Sequence, residues 1–130
     1  MKNNDRILLV CDDDAVRGAY LESLATSFRN VQFVADGTEA LQAMAQGPFD
    51  LVLLDVKPPG AAILRSIKQA NPDSEVVVIT GQPNLAGAKE AVRLGAYDYL
   101  GKPIGPDKMI SVSSAALTRK GWALHAEHHA

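Results

Sequence analysis

This chain of 130 residues has a single cysteine, a small net charge and no long apolar run. A single cysteine, Cys11, excludes an intramolecular disulfide framework and a metal site built from several cysteines. The net charge of −2 argues against a nucleic-acid footprint spread over the surface. No apolar run reaches the ~18 residues of a membrane span, and Met1–Arg6 lacks the apolar core of a signal peptide. We therefore expect a cytoplasmic protein with no membrane contact and no direct contact with nucleic acid.

The composition that remains is typical of a folded domain. Hydrophobic residues make up 47% of the chain and charged residues 22%, which excludes disorder throughout. At about 100–200 residues per domain, the length predicts one domain. The composition changes only after Leu117, because Thr118–Ala130 is polar and carries all three histidines. We interpret that segment as a tail or as an extension of the last helix.

Short apolar runs recur along the chain. Three of them are apolar at every position, without alternation, namely Ile7–Val10, Leu51–Leu54 and Val76–Ile79. Continuous runs are typical of strands covered on both faces, as in a parallel sheet with helices above and below. The five predicted strands are Ile7–Val10, Val31–Val34, Leu51–Leu54, Val76–Ile79 and Tyr97–Leu100.

Stretches with helical spacing separate the runs. Asp36 followed by Glu39 resembles a capping box, and Pro106 suits the first turn of a helix. Five β-then-α units with right-handed crossovers predict a single doubly wound α/β domain around a five-stranded parallel sheet. The predicted helices are about Ala15–Phe28, Thr38–Ala45, Ala61–Ala70, Leu85–Leu94 and one from near Pro106.

Polar residues follow four of the predicted strands, at the edge where ligands bind in open α/β sheets. They are Cys11-Asp12-Asp13-Asp14, Asp55, Thr80-Gly81 and Gly101-Lys102-Pro103. Neighbouring carboxylates repel one another unless a cation intervenes, and Mg²⁺ prefers oxygen ligands. A hydroxyl and a lysine would complete a cradle for a phosphoryl group. One carboxylate is then a candidate nucleophile that forms an acyl phosphate.

These segments resemble the receiver domain of two-component response regulators, the CheY-like family. The matching text is ILLVCDDDAVR, FDLVLLDVKPPG, VVVITGQPN and LGAYDYLGKP, in order over about Ile7–Leu117. The resemblance implies a flavodoxin-like (βα)5 fold, with a receiver domain over residues 1–117 and a tail over 118–130. It also implies a self-modifying phosphoacceptor rather than an enzyme, limited to magnesium-dependent phosphotransfer and autodephosphorylation.

The resemblance assigns the metal site and the phosphoacceptor. Asp55 matches the aspartate that takes the phosphoryl group. Asp12 matches the second of the paired acidic residues that hold Mg²⁺, together with Asp55. Lys57 matches the residue whose backbone carbonyl completes the metal shell.

The resemblance also assigns the switch residues and the partners. Thr80 matches the hydroxyl that bonds the phosphoryl group, and Lys102 matches the lysine that pairs with it. Pro103 follows, at a peptide bond that is usually cis in the family. Tyr99 matches the aromatic residue whose rotamer reports activation, although a plain core role is equally open. The implied partners are a histidine kinase or a phosphotransfer protein, and a second copy docked through the fourth and fifth units.

The first acidic position departs from the family pattern. Counting back from Arg17 places Cys11 there, and a neutral thiol is a poor ligand for Mg²⁺. A shift of one residue would instead pair Asp12 with Asp13, so Asp13 remains a possible ligand. We interpret Asp14 as a helix N-cap rather than a ligand. Cys11 itself is more consistent with a small side chain at the edge of the core than with a redox thiol.

The loop after Asp55 departs as well. It is shorter than the family's D-x-x-M-P-G-M-x-G-x-x, and Pro58 stands where methionine is usual. The change affects the lip of the predicted phosphorylation pocket, and the sequence gives no direction for the effect. His125, His128 and His129 fit a polar terminus better than a metal site.

Three function classes remain open. The first is the phosphoacceptor switch. The second is a pseudo-receiver, an interaction module that no longer uses phosphate, which Cys11 and the short loop favour. The third is a small α/β enzyme or nucleotide-binding domain. Against this class, the chain lacks a glycine-rich phosphate loop after the first strand. Phosphatases of the haloacid dehalogenase type also place their nucleophile after the first strand, whereas the best candidate here, Asp55, follows the third.

Overall fold

Five strands alternate with five helices in the part of the chain that the computed structural model describes. That part is residues 3–57 and 60–129, with side chains described over 4–57 and 60–120. Pro58 and Pro59, at the predicted short loop, lie outside it. The elements are β1 (Asn3–Cys11), α1 (Asp14–Ala25), β2 (Phe28–Val34), α2 (Gly37–Ala45), β3 (Leu51–Asp55), α3 (Ala61–Ala70), β4 (Glu75–Thr80), α4 (Leu85–Arg93), β5 (Asp98–Gly101) and α5 (Pro106–His129).

The strands form one parallel sheet in the order β2-β1-β3-β4-β5. Its register brings the strand ends together: Cys11 lies opposite Asp55, Asp55 opposite Ile79, and Thr80 opposite Gly101. The strand order reverses between β1 and β3, which is where doubly wound sheets open a crevice for ligands. The predicted doubly wound (βα)5 fold is therefore confirmed.

Helices cover both faces of the sheet, which explains why runs of consecutive strand residues are apolar. Successive residues of a strand point to opposite faces. Ile7 and Leu9 pack in one core cluster with residues of α1 and α5. Leu8 and Val10 pack in a second cluster with residues of α2, α3 and α4. All four of these side chains are fully buried, so both faces of β1 are covered over Ile7–Val10.

The first helix is shorter than predicted. It ends at Ala25, and Phe28 begins β2 instead of closing α1. The hydroxyl of Thr26 donates to the Ser23 carbonyl at 2.7 Å, a local bond that competes with helix continuation. Phe28 is 4% exposed and packs in the same cluster as α1. Phe28 therefore shows the spacing of the α1 residues because it is buried in the same cluster, although it does not belong to the helix.

The N-cap of α1 is also different from the prediction. Asp13 caps the helix, with its Oδ1 accepting hydrogen bonds from the backbone N–H groups of Ala15 and Val16 at 3.0 and 3.2 Å. Asp14 is the first helical residue, and its carboxylate pairs with Arg17. The N-cap prediction for Asp14 is therefore wrong by one residue. An acidic residue at either place is favourable at the positive end of the helix dipole.

Two other helices begin on polar caps. The Oδ1 of Asp36 accepts from the N–H of Glu39 at 2.9 Å, which is one of the two bonds of the predicted capping box. The Oδ1 of Asn84 accepts from the N–H of Gly87 at 2.7 Å and starts α4. The N-terminus of α4 is thus fixed directly after the loop that follows Thr80.

The last helix begins at Pro106, as predicted, and its backbone continues to His129. Lys120 pairs with Asp50 at 3.0 Å, which holds the helix against the amino-terminal edge of the sheet. The side chains of residues 121–130, the three histidines among them, lie outside the described part. A domain boundary near residue 117 stays a prediction. In the described ranges, no helix has both the length and the apolar character needed to cross a membrane.

Candidate functional site

Asp55 ends β3 at the carboxyl edge of the sheet and is 2% exposed. It lies at the bottom of a cleft between the β1–α1 connection and the segments that follow β3, β4 and β5. The predicted metal, phosphoacceptor and lysine positions meet in this cleft, and Thr80 ends the neighbouring strand β4. The cleft is lined by Asp12, Asp13, Asp14, Asp55, Val56, Lys57, Gly81, Gln82 and Lys102.

Lys102 is the ionic partner of Asp55. Its Nζ lies 2.9 Å from Asp55 Oδ1. The Lys102–Pro103 peptide bond is cis, as the resemblance implied, and the N–H of Lys102 donates to the Thr80 carbonyl at 2.8 Å. Burial lowers the pKa of Lys102, but the hydrogen bond and the charge of Asp55 outweigh it and raise the pKa overall. The ammonium therefore stays charged beside the buried carboxylate.

Cys11 faces the other oxygen of Asp55. Its Sγ lies 4.0 Å from Asp55 Oδ2 and 3.5 Å from the Asp13 carbonyl, and the residue is fully buried. Burial raises the pKa of the thiol above its ordinary value of 9.0, although the bond to the Asp13 backbone opposes this. Cys11 is thus a neutral donor at neutral pH. The register places Cys11, and not Asp12, opposite Asp55.

Asp12 is exposed and stands across the cleft mouth. Its Oδ2 accepts from the backbone N–H of Lys57 at 3.4 Å, which brings the segment after β3 close to the segment after β1. Asp13 also lines the cleft, but one of its oxygens caps α1. The assignment of Asp12, Lys57 and Asp13 as metal ligands stays a prediction.

The side chains in the cleft could hold Mg²⁺ only through a small number of protein ligands. In residues 3–57 and 60–129, no group of three or more His, Cys, Asp or Glu side chains is close enough to hold a metal ion. Mg²⁺ does not require such a group, because proteins bind it through one or two carboxylates while it keeps several waters. The carboxylates of Asp12 and Asp55 meet that requirement, and the neutral Cys11 contributes no charge.

Cys11 lies on the β1 side of Asp55, and Thr80 and Tyr99 lie on the opposite side, in β4 and β5. The Thr80 side chain is 6% exposed, and its Oγ1 accepts from the N–H of Gln82 at 3.1 Å. The Tyr99 side chain is partly buried against the second core cluster. Its hydroxyl accepts from the N–H of Asn84 at 3.4 Å and lies against Gly87, where an added Cβ would come within 2.5 Å of it. Tyr99 therefore contacts the first turn of α4, and its switch role stays a prediction.

One residue at the site was missed by the sequence reasoning. Tyr20, in the second turn of α1, is 5% exposed and packs in the same core cluster as Cys11, which lies opposite Asp55 in the β1–β3 ladder. Burial raises the pKa of the Tyr20 hydroxyl, and the charge of Asp55 adds to the rise. In the sequence, Tyr20 reads as a core residue spaced four from Val16 and Leu24. The available signal was its hydroxyl, which needs a polar partner when a tyrosine is buried.

Comparisons with known proteins agree with this arrangement. The family model described as "Response regulator receiver domain" matches residues 7–113. The chain is 30% identical over 115 residues to a putative NtrX-like response regulator of Rickettsia conorii, which covers 85% of this chain and 24% of the relative. It is 33% identical to the response regulator MprA of Mycobacterium sp. (strain KMS), which covers 88% of this chain and 51% of the relative. The chain thus spans about a quarter to a half of these relatives.

Solved structures show the same fold. A CheY-like receiver domain protein from Methanospirillum hungatei superimposes with a TM-score of 0.86 at 25% identity, covering 93% of this chain and 99% of that one. The receiver domain of NtrX from Brucella abortus gives a TM-score of 0.79 at 33% identity, covering 86% and 98%.

Receiver domains are regulatory phosphoacceptors and not classical enzymes, and they generally bind Mg²⁺ at an acidic phosphorylation site. The family match over residues 7–113 and the shared fold confirm the predicted resemblance. The chain belongs to the response regulator receiver domain family of two-component signal transduction.

Proposed function

We propose that Asp55 accepts a phosphoryl group from a histidine kinase or a phosphotransfer protein and that the domain relays this event as a conformational signal. The observation that carries the proposal is the ion pair between Asp55 Oδ1 and Lys102 Nζ at 2.9 Å, at the bottom of an open cleft. A buried carboxylate is costly without a partner, and Lys102 supplies that partner in a cleft that is open to an incoming phosphoryl donor.

The transfer balances as a displacement at phosphorus. One oxygen of Asp55 attacks the phosphorus of a phosphohistidine, and an O–P bond forms while the P–N bond breaks. The imidazole nitrogen keeps the electron pair of the broken bond. In the later autodephosphorylation step, water attacks the phosphorus and the bond to the Asp55 oxygen breaks, so that Asp55 leaves as a carboxylate and inorganic phosphate and a proton are released.

Two residues would stabilise the phosphoryl oxygens. Lys102 carries a charge that its surroundings preserve, and its ammonium would turn from Asp55 to the new phosphoryl oxygens. The Thr80 hydroxyl accepts a bond from Gln82, which leaves its own proton for a further acceptor. A phosphoryl oxygen beside Thr80 would be that acceptor.

Asp12, Asp55 and the backbone carbonyl of Lys57 would hold Mg²⁺. When bound, the ion offsets the negative charge that gathers on the transferring group. Asp12 is exposed and accepts one weak bond from Lys57, so it is free to reorient toward such an ion.

The relay would pass through α4. Thr80 and Asn84 lie at the two ends of the segment that joins β4 to α4, and Tyr99 contacts that segment. Leu85 and Val92, seven residues apart on α4, are 70% and 69% exposed. Residues seven apart share one face of a helix. We expect this face to contact a second copy of the domain through the fourth and fifth units.

A pseudo-receiver remains the second candidate. The neutral thiol of Cys11, where the family has an acidic residue, favours it. On this alternative the Asp55–Lys102 pair is only structural, and the domain binds its partner without phosphate.

Intact mass spectrometry after incubation with acetyl phosphate and Mg²⁺ distinguishes the two candidates. We expect the chain to gain the mass of one phosphoryl group, and Asp55→Asn to gain none. Asp73→Asn is the matched control, because Asp73 is exposed in the turn before β4 and should keep the gain. No gain in the native chain, or an equal gain in Asp55→Asn, would overturn the proposal.

A further inference from the structure

Arg17 and Phe33 are unusual in their exposure, and each accounts for the other. Phe33 is 50% exposed on β2, an edge strand of the sheet. The Arg17 side chain is 17% exposed, although arginine is mostly a surface residue. The guanidinium Cζ of Arg17 lies 4.8 Å from the centroid of the Phe33 ring, within the range of a cation–π contact. The ring therefore shields one face of the guanidinium from solvent.

The register of the sheet brings Phe33 to this place. Phe33 is opposite Leu9 in the parallel β1–β2 ladder, and Leu9 packs with residues of α1 and α5. Residues opposite each other in a ladder point to the same face of the sheet. Phe33 thus stands on the face that α1 covers, and Arg17 reaches it from near the start of that helix.

The terminal nitrogens of Arg17 bind the connection between β1 and α1. Nη1 donates to the backbone carbonyl of Cys11 at 3.1 Å, and Nη2 pairs with the carboxylate of Asp14. The backbone N–H of Arg17 donates to the Asp13 carbonyl at 2.9 Å. A planar guanidinium presents several donors in fixed directions, which an ammonium does not. Arg17 thus holds the segment that carries Asp12 on both sides of that residue.

This anchoring bears on the orientation of Asp12. The Cys11 carbonyl and the Asp12 N–H belong to one planar peptide unit, so a bond to that carbonyl also fixes the Asp12 backbone. The Asp12 carboxylate is exposed, and its Oδ2 accepts from the N–H of Lys57 at 3.4 Å. Asp14 lines the same cleft, but its carboxylate is engaged by Arg17. Arg17 therefore favours Asp12 over Asp14 as the carboxylate available to a cation.

We propose that Arg17, stacked on Phe33, is a positioning residue that presents Asp12 to a divalent cation bound beside Asp55. The inference rests on the proposed magnesium site, whose ligands include Asp12 and Asp55. Charge alone predicts the opposite effect, because a guanidinium near the cleft repels a divalent cation. The sign of the change in magnesium affinity therefore separates positioning from simple electrostatics.

Magnesium titration followed by NMR tests the inference without phosphate. The reporter is the backbone amide signal of Lys57, because this N–H bonds Asp12. We expect Arg17→Met to raise the Kd for Mg²⁺ about three- to tenfold, since it removes charge-assisted hydrogen bonds that hold the segment. In an Asp12→Asn background, which lacks the carboxylate, Arg17→Met should have no further effect. A lower or unchanged Kd, or an equal rise in both backgrounds, would overturn the inference.

Variants of Phe33 test the stacking. Phe33→Leu removes the ring and should raise the Kd for Mg²⁺ about two- to fivefold, whereas Phe33→Tyr keeps the ring and should match the native chain. In an Arg17→Met background, Phe33→Leu should add nothing, because Phe33 acts through the guanidinium. The stacking role is contradicted if leucine and tyrosine have the same effect, or if the effects of Arg17→Met and Phe33→Leu add.

Arg29→Met is the matched control for charge. Arg29 is exposed at the amino-terminal end of β2, away from the carboxyl edge where the cleft lies. The substitution removes one positive charge from the same strand that carries Phe33, and it should leave the Kd for Mg²⁺ unchanged. A rise in Kd equal to that of Arg17→Met would show a general effect of charge and would count against positioning.

Melting temperature separates positioning from a merely structural role. Arg17→Met removes contacts within the fold, so we expect it to lower the melting temperature as well. A merely structural role would lower the melting temperature and leave the Kd of the folded domain unchanged, and only the inference would then fail. If the native chain binds no Mg²⁺, the inference fails together with the magnesium site. The gain of a phosphoryl group, read by intact mass, then still decides whether Asp55 is a phosphoacceptor.

Discussion

Cys11 and Asp55 lie opposite each other across the β1–β3 ladder, with the thiol sulfur 4.0 Å from one carboxylate oxygen. A neutral side chain in this position leaves Asp12 and Asp55 as the two carboxylates of the proposed magnesium site.

Cys11→Asp should strengthen the binding of Mg²⁺ because it adds a carboxylate beside Asp55. Without the ion, the new charge should destabilise the fold, since two buried carboxylates repel each other. We therefore expect the increase in melting temperature caused by Mg²⁺ to be larger in Cys11→Asp than in the native chain. Cys11→Ser is the control, because it changes the side chain without adding a charge. An equal magnesium effect in all three proteins would contradict a metal site at Asp55.

Lys102→Met should destabilise the fold because it leaves the Asp55 carboxylate buried without its cation. Hydrogen bonds to charged groups contribute about 1.5–3 kcal/mol, and Lys102 is partly exposed, so we expect a loss near the lower end. Urea unfolding of Lys102→Met, Asp55→Asn and the double variant gives the coupling energy. The double variant should lose much less stability than Lys102→Met alone. Additive losses would show that the pair contributes nothing beyond its separate side chains.

Stability should fall at alkaline pH. The pKa of Cys11 is raised in the folded state, so the thiol ionises more easily when the chain is unfolded. The stability linked to this group is complete below the ordinary pKa of 9.0 and is lost as pH rises through the folded value. The raised pKa of Tyr20 acts in the same direction.

Cys11→Ala isolates the contribution of the thiol. It should be less stable than the native chain at pH 8, because it removes a buried sulfur atom. Between pH 8 and pH 10, however, it should lose less free energy of unfolding than the native chain. Chemical denaturation at both pH values measures the two losses, and parallel curves would exclude a role for the thiol.

Gly87→Ala should act in opposite directions depending on Tyr99. In the native chain an added Cβ would lie 2.5 Å from the Tyr99 hydroxyl, so the phenol must move away from Asn84. In a Tyr99→Leu background the phenol oxygen is gone, and the remaining close neighbour of the added Cβ is Asn84 Oδ1 at 3.3 Å. There we expect Gly87→Ala to stabilise the domain by about 0.5–1 kcal/mol, the usual gain within a helix. Urea unfolding of the four proteins measures this, and the same gain in both backgrounds would show that Tyr99 does not rest on α4.

Much of the fold followed from the sequence because the relevant interactions are local or periodic. Ala61–Ala70 was predicted with both ends correct, since the Asn71-Pro72 pair stops the helix and the apolar spacing defines its buried face. A parallel sheet covered on two faces was predicted from three continuously apolar runs, which are Ile7–Val10, Leu51–Leu54 and Val76–Ile79. Residues at the carboxyl ends of parallel strands meet at one edge, so Asp55 and Lys102 were expected together before any distance was known.

Other features were decided only by tertiary structure. Phe28 has the spacing of a helical residue, but burial against β1 placed it in a strand. Asp13 and Asp14 are both good caps by residue type, but Asp13 is the last residue with an extended backbone (φ −111°, ψ 112°) and Asp14 is already helical. Tyr20 was predicted as a core residue from its helical spacing alone. Tyr20 and Asp55 are 35 residues apart in sequence, and only the packing of α1 on the sheet places Tyr20 in the cluster that contains Cys11, opposite Asp55.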